Sequence, residues 1–193
     1  RKTGGQKYRY ELKYVCSDLQ MRQMEERISV LLKKDPHVGE KGYYTIRSLY
    51  FDDYLDSAFR EKEDGDNPRE KYRLRYYDDR KELIHLEIKR KVGMKIQKES
   101  CMVTEREAEA MMQGDWYEVF QNPDPTVRLF YLEGAARLFQ PKIIVEYDRV
   151  PYVGQEGNVR ITFDKNIRSC SETDRFWEKE MPVSILTCHP HAE

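Results

Sequence analysis

Several short segments of the chain alternate between apolar and polar residues. Residues 6–15 place tyrosines and a leucine on one face and charged residues on the other, and this period of two indicates a strand. Alternation, or enrichment in aromatic and β-branched residues, predicts further strands at 43–52, 70–77, 82–91, 95–103, 142–152 and 157–164, with a last one at 181–187. Short connections between successive strands predict antiparallel pairing.

Apolar residues at helical spacing predict three helices between these strands. The first, at 18–34, follows Ser17 and Gln20, which form a capping-box signature; the second begins at the equivalent pair Thr104 and Glu107 and runs through residue 112. The third lies near 126–139, whereas 165–180 is polar and is expected to be irregular. The pattern predicts one α+β domain over residues 1–193, dominated by antiparallel strands.

The polar faces of the predicted strands carry long cations and a few carboxylates. In 70–77, Arg73 and Arg75 lie opposite tyrosines and a leucine, and in 82–91, Glu87 and Lys89 lie opposite Ile88 and its apolar neighbours. A half-exposed sheet with its charges in water gives this pattern. A barrel with apolar faces outward under helices and charged faces inside gives it too, and the pattern leaves both architectures open.

Composition narrows the functions that fit such a chain. Charged residues make up 36% and mean hydropathy is −0.88, yet an aromatic content of 12% argues against disorder. A net charge of −1 excludes the overall basic field typical of nucleic-acid binding. Four widely spaced cysteines without a C-x-x-C pair predict free thiols. With no long apolar stretch and no signal-peptide pattern, we expect a soluble, cytoplasmic protein.

Enclosed cations need a counter-charge. Two cations about 6 Å apart repel by roughly 3 kcal/mol at an effective dielectric constant near 20. Interleaved carboxylates, water or an anionic ligand would relieve this repulsion. A chain of phosphates suits arginine well, because the guanidinium fork matches phosphate oxygens. Carboxylates beside phosphates usually hold a divalent metal.

An ordered set of motifs resembles a known family, the VTC domain, which is the polyphosphate polymerase domain named after the vacuolar transporter chaperone complex. The resemblance covers about 8–170 and is to the stand-alone bacterial type, without the SPX and membrane domains. The motifs, in family order, are Tyr10-Glu11-Leu12-Lys13-Tyr14, Ile46-Arg47-Ser48-Leu49-Tyr50-Phe51-Asp52, Tyr72-Arg73-Leu74-Arg75-Tyr76-Tyr77, Leu86-Glu87-Ile88-Lys89, Tyr147-Asp148-Arg149 and Asn158-Val159-Arg160-Ile161-Thr162.

This resemblance implies the triphosphate tunnel fold of the CYTH-like superfamily, an antiparallel barrel of about eight strands with flanking helices. It implies transfer of the γ-phosphate of ATP to polyphosphate with Mn²⁺ or Mg²⁺, without a protein nucleophile. Glu11 and Glu87 would be the metal ligands. Family analogy adds a membrane protein as a partner. The phosphate-binding cations would be Arg9, Lys13, Arg73, Arg75, Lys89, Lys98, Arg149 and Arg160.

Two departures from the superfamily pattern bear on activity. Arg9 begins an R-x-E-x-K pattern where the hydrolases carry E-x-E-x-K, which favours the polymerase branch. After residue 187 the family's Glu-x-Lys strand, docking helix and Ser-Lys pair are expected, but the chain reads Cys188-His189-Pro190-His191-Ala192-Glu193, so we expect a truncated C-terminal part. The sequence leaves open a polymerase, a non-catalytic binder of polyphosphate or inositol phosphates, and a tunnel triphosphatase.

Overall fold

A computed structural model describes residues 11–56, 69–92, 95–154, 159–180 and 184–185. Within these ranges the strands form a single antiparallel sheet that curls into a half-barrel, with the order β5-β4-β3-β2-β6-β7-β8 and with β1 paired to β6. The strands are β1 Lys33–Lys34, β2 Tyr44–Asp52, β3 Arg69–Tyr77, β4 Ile84–Val92, β5 Lys95–Val103, β6 Gln140–Val153, β7 Arg160–Cys170 and β8 Ser184–Ile185.

The helices begin where the capping signatures predict. Ser17 and Gln20 form a capping box at the start of α1, and Thr104 and Glu107 form a second one at the start of α2. Each box satisfies backbone N–H groups that have no partner inside the helix. The helices are α1 Asp18–Leu31, α2 Glu105–Gln113, α3 Trp116–Phe120 and α4 Pro125–Arg137, and a 3₁₀ helix follows at Thr173–Trp177.

The two faces of the sheet differ in character. The outer face carries Tyr72, Leu74 and Leu86. It packs against α2, α3 and α4, and together they form the main hydrophobic core. Phe130 of α4 illustrates this packing. It is fully buried, and the centroid of its ring lies 5.1 Å from that of the Phe51 ring. The opposite, inner face carries the predicted phosphate-binding side chains of β3 and β4. The predicted α+β fold, an antiparallel barrel-like sheet with flanking helices, is confirmed, and the described strands form it as a half-barrel.

A tight turn joins β3 to β4 and sets the register of the inner face. Asp78 and Asp79 have φ of 47° and 61°, a left-handed conformation that aspartate tolerates better than most residues. The Asp78 carboxylate also accepts a hydrogen bond from the backbone N–H of Thr45 at 2.9 Å. This turn places Arg73 opposite Glu87 across the ladder.

The structure corrects three predictions of secondary structure. Residues 11–15, predicted as part of the strand at 6–15, form neither helix nor strand, and residues 6–10 lie outside the described ranges. Residues 165–170 belong to β7 rather than to an irregular segment, because Arg168 and its neighbours pair with β6. The helix predicted at 18–34 ends at Leu31, because Lys33–Lys34 form a short strand that pairs with β6. The helix Trp116–Phe120 was not predicted.

Candidate functional site: the charged inner face

The strand register brings predicted phosphate-binding residues from neighbouring strands together on the inner face. Arg73 of β3 lies opposite Glu87 of β4. Glu87 lies opposite Ser100 of β5, and two residues further along the ladder Lys89 lies opposite Lys98. The side chains of residues two apart on a strand share a face. Charged residues that are far apart in the sequence therefore lie close together on the inner face.

Glu87 is the centre of a group that we name the central cluster: Arg73, Arg75, Glu87 and Lys98. Its side chain is only 3% exposed. One carboxylate oxygen accepts from Nε of Arg73 at 2.7 Å and lies 2.5 Å from Nη2, while the other lies 2.5 Å from Nζ of Lys98. Burial alone would raise the pKa of Glu87, but the charges of Arg73, Arg75 and Lys98 lower it to about 2.

Arg75 is held differently from Arg73. Its side chain is 5% exposed, and its guanidinium donates to the hydroxyls of Ser48 at 3.2 Å, Tyr147 at 3.2 Å and Tyr77 at 3.5 Å. Within the described ranges its ion-pair partner is Glu87, at the long distance of 3.7 Å. Neutral hydroxyls orient a guanidinium without cancelling its charge, so Arg75 supplies positive charge to the inner face.

Tyr50 completes the surroundings of Arg73. Its hydroxyl accepts from Nη1 of Arg73 at 2.9 Å, and the guanidinium carbon lies 5.7 Å from the centre of the Tyr50 ring. Burial would raise the pKa of Tyr50, but the charge and hydrogen bond of Arg73 lower it. The guanidinium of Arg73 thus places positive charge beside the Tyr50 hydroxyl.

Lys89 and the segment before α1 form the next part of the site. Nζ of Lys89 lies 2.5 Å from the carboxylate of Glu11, which also lies 3.5 Å from Nζ of Lys13. The side chain of Lys13 is 78% exposed, so it is not brought into the central cluster. Arg9 lies outside the described residues.

The far end of the inner face contains cations that are neutralised in pairs. Arg149 forms a bidentate ion pair with Asp164, in which Nε and Nη2 lie 2.7 and 2.8 Å from the two carboxylate oxygens. Arg160 is 3.0 Å from the buried carboxylate of Asp35, and its own side chain is 59% exposed. Each of these cations has a carboxylate within hydrogen-bonding distance, in contrast to Arg75.

The arrangement does not fit a protein-bound metal at the predicted ligands. Both oxygens of Glu87 contact cationic groups, and so do both oxygens of Glu11. Cations at these distances repel a divalent ion. Across the part of the chain that the structure describes, there is also no group of three or more His, Cys, Asp or Glu side chains able to hold a metal.

A second charged group, the outer cluster, lies on the opposite face of the same sheet and consists of Arg47, Glu146 and Arg168. Arg47 donates from Nε to Glu146 at 2.6 Å, and Arg168 lies 2.6 Å from the other carboxylate oxygen. Arg47 also donates to the Tyr76 hydroxyl at 3.0 Å and to the backbone carbonyls of Phe176, Glu178 and Lys179. The outer cluster therefore ties residues 176–179 to the sheet.

Sequence reasoning missed the hydroxyl groups that hold the arginines, namely those of Ser48, Tyr50, Tyr77 and Tyr147. For Tyr77 and Ser48 the sequence contains a signal that places them on the charged face. Tyr77 follows Arg75 at a spacing of two, and Ser48 is two residues before Tyr50. The pairing of Ser48 with Arg75 and of Tyr50 with Arg73 depends on the register between β2 and β3. That register is not visible in either strand alone.

Comparisons with known proteins agree with this architecture. A sequence model of the VTC domain matches residues 8–189. Among curated protein sequences, none matches this chain. None of the helices in the described ranges combines the length and apolar character needed to cross a membrane.

Two solved structures share the fold. One is the crystal structure of a candidate adenylate cyclase from Bacillus halodurans, with 12% identity and a TM-score of 0.53, covering 86% of this chain and 73% of the other. The second is a candidate adenylyl cyclase from Hippeastrum with a dominant triphosphatase activity. It has 11% identity and a TM-score of 0.52 and covers 81% of this chain and 70% of the other. At these identities the likeness shows the triphosphate tunnel fold.

Proposed function

This chain belongs to the VTC domain family, and we propose that its inner face binds a tri- or polyphosphate and that it transfers the γ-phosphate of ATP to a polyphosphate chain. The observation that carries the proposal is Arg75. It is a buried guanidinium that is fixed by hydroxyls and whose ion-pair partner among the described residues is 3.7 Å away. Positive charge in this state favours an anionic ligand.

The spacing of cations along the face favours a chain of phosphates over one phosphate. Arg73, Arg75 and Lys98 surround Glu87, and Lys89 continues the row along β4. Arg149 belongs to β6, on the other side of β2, where its guanidinium lies 5.2 Å from the ring of Tyr147. A ligand reaching from Lys98 to Arg149 would cross several strands, which are spaced about 4.8 Å apart.

The reaction needs positioning and charge neutralisation rather than a protein nucleophile. A terminal oxygen of the polyphosphate chain attacks the γ-phosphorus of ATP, and the bond from that phosphorus to the β,γ-bridging oxygen breaks to release ADP. Arg73 and Arg75 would bind the equatorial oxygens and stabilise their charge. The requirement for Mn²⁺ or Mg²⁺ is a prediction from the family resemblance.

One assay tests the proposal. Purified protein is incubated with ATP, with and without Mn²⁺, and the products are separated on a gel stained for polyphosphate. We expect polymer from the wild type and from Arg175→Met, a control at a half-buried arginine outside the inner face, but none from Arg75→Met. Absence of polymer from the wild type, together with tight tripolyphosphate binding, would contradict the polymerase activity and support a non-catalytic binding function.

A tunnel triphosphatase is the second candidate, and the Hippeastrum structure favours it, because that protein is described by its triphosphatase activity. The same preparations are therefore given inorganic triphosphate, and release of orthophosphate is measured. Release without polymer formation would assign the chain to hydrolysis. The hydrolytic reaction would use the same inner face, so Arg75→Met is expected to abolish it as well.

A further inference from the structure

Glu87 occupies the donor groups that a phosphate would use. The Nε–Nη2 edge of Arg73 is the edge that binds two oxygens in parallel, and here both nitrogens contact a single oxygen of Glu87, at 2.7 and 2.5 Å. The second oxygen contacts Nζ of Lys98. A phosphate group that binds Arg73 through this edge has to displace the carboxylate.

The partners of Glu87 distinguish it from an ordinary structural carboxylate. Breaking its contacts does not open the hydrophobic core, because Glu87 and Arg73 lie on the inner face, away from the helices. Arg73 would keep the hydroxyl of Tyr50 at 2.9 Å and Arg75 would keep its three hydroxyls. The two arginines are therefore also held in place by groups other than Glu87.

We propose that Glu87 is an internal anion that takes the place of a phosphate group in the free protein and competes with the ligand for Arg73 and Lys98. This inference rests on the proposed function. Binding is then an exchange, in which the carboxylate releases the two cations as phosphate oxygens contact them. A carboxylate that competes in this way weakens phosphate binding, so removing its charge strengthens it.

This role accounts for the poor fit of Glu87 to a metal. Its oxygens neutralise cations that would otherwise repel one another inside a partly enclosed face, where screening by water is reduced. The same contacts stabilise the ligand-free protein in the absence of a bound anion. Glu87 thus adjusts the affinity of the site rather than acting as a catalytic residue.

A double-mutant cycle tests the competition. Tripolyphosphate is titrated calorimetrically into wild type, Glu87→Gln, Arg73→Met and the double variant. We expect Glu87→Gln to bind about tenfold more tightly or better, since the charge-assisted contacts of Arg73 and Lys98 become available. In the Arg73→Met background the same substitution should give a much smaller gain. Glu118→Gln, which removes an equal charge from a pair with the exposed Arg106, should bind like the wild type.

The cycle separates three results. Weaker binding by Glu87→Gln would show that the carboxylate positions the cations, and it would overturn the inference. An equal gain in both backgrounds would show a general loss of negative charge, and it would also overturn the inference. If the wild type does not bind tripolyphosphate at all, the proposed function falls as well, which separates the failure of the two claims.

A second variant keeps the inference testable if Glu87→Gln does not fold. Glu87→Asp retains the charge but withdraws it from Arg73 and Lys98 by one methylene, so we expect a smaller gain in affinity. Unchanged or weaker binding by a folded Glu87→Asp would contradict the competition. Thermal melting gives an independent readout, because orthophosphate should stabilise Glu87→Gln more than the wild type.

Discussion

Arg47 and Arg75 are almost equally buried, with 5% and 4% exposure, but they lie on opposite faces of the sheet. Arg47, in the outer cluster, donates to the close carboxylate of Glu146 and to backbone carbonyls of residues 176–179. Arg75, in the central cluster, donates to hydroxyls, and its ion-pair partner among the described residues is 3.7 Å away. A backbone carbonyl can only accept hydrogen bonds, and its direction is set by the main chain. A hydroxyl can rotate about its C–O bond and donate a hydrogen bond to a bound ligand.

The difference indicates that burial of an arginine does not by itself reveal its role. In the outer cluster the guanidinium connects separate segments of the chain, so its contacts stabilise the folded state. In the central cluster the guanidinium is oriented but its charge is only partly neutralised, which is a preorganised state for binding an anion. The two clusters should therefore respond differently to the same chemical change.

The largest effect on stability is expected from Arg47→Met. The substitution leaves the buried Glu146 with Arg168 as its cationic partner among the described residues. It also removes the donor from the Lys179 carbonyl and one of the two donors to the Phe176 carbonyl, which keeps the Tyr76 hydroxyl. Removing one partner of a buried ion pair typically costs about 3–5 kcal/mol. Urea unfolding followed by circular dichroism measures this loss. Arg175→Met, at an exposed pair, should unfold close to the wild-type midpoint, and a similar small change for Arg47→Met would contradict the structural role.

A smaller effect is expected from protonation of Glu87. Its pKa is lowered from 4.5 to about 2 by folding, so its ionised form contributes stability that is present above pH 4.5 and is lost as the pH falls through about 2. Glu87→Gln should be less stable than the wild type at neutral pH and should lose less stability over this acidic range. Urea midpoints measured across the range check this, and parallel curves for the two proteins would contradict it.

The smallest effect is expected from Tyr50→Phe. The Tyr50 hydroxyl accepts one hydrogen bond from Arg73, which keeps its contacts with Glu87 when the hydroxyl is removed. A hydrogen bond of this kind contributes about 1 kcal/mol, so tripolyphosphate should bind a few-fold more weakly with little change in melting temperature. Tyr117→Phe, at a tyrosine 79% exposed, is the matched control. Equal affinity for both variants would show that Tyr50 does not orient Arg73 for binding.

The sequence predicted those parts of the fold that depend on local pattern. The strand at 95–103 and both capping boxes were predicted at the observed residues, because the break at Gly93 and the capping pairs are signals that lie within a few neighbouring positions. The extension of β7 through 165–170 was not predicted. Its polar residues are stabilised by distant partners, such as Glu25 for Lys165 and Glu146 for Arg168.

The same limit applies to the site. Alternation placed Arg73 and Arg75 on a charged face, and family resemblance indicated phosphate as their ligand. Whether each charge is neutralised depends on the register between strands, which pairs Arg73 with Glu87 and leaves Arg75 among hydroxyls. The segment 11–15 shows the converse, since alternation predicted it as part of a strand at 6–15, whereas these five residues form no strand in the structure.

The central claim, that the inner face binds a chain of phosphates through Arg75, is tested most directly by titrating tripolyphosphate into wild type and Arg75→Met. Because the hydrogen-bond partners of Arg75 are neutral hydroxyls and its ion pair with Glu87 is long, the variant should remain folded. We expect its affinity to fall by about tenfold or more as a charge-assisted contact is lost. Arg175→Met should bind as the wild type does. Equal affinities for wild type and a folded Arg75→Met would contradict the account.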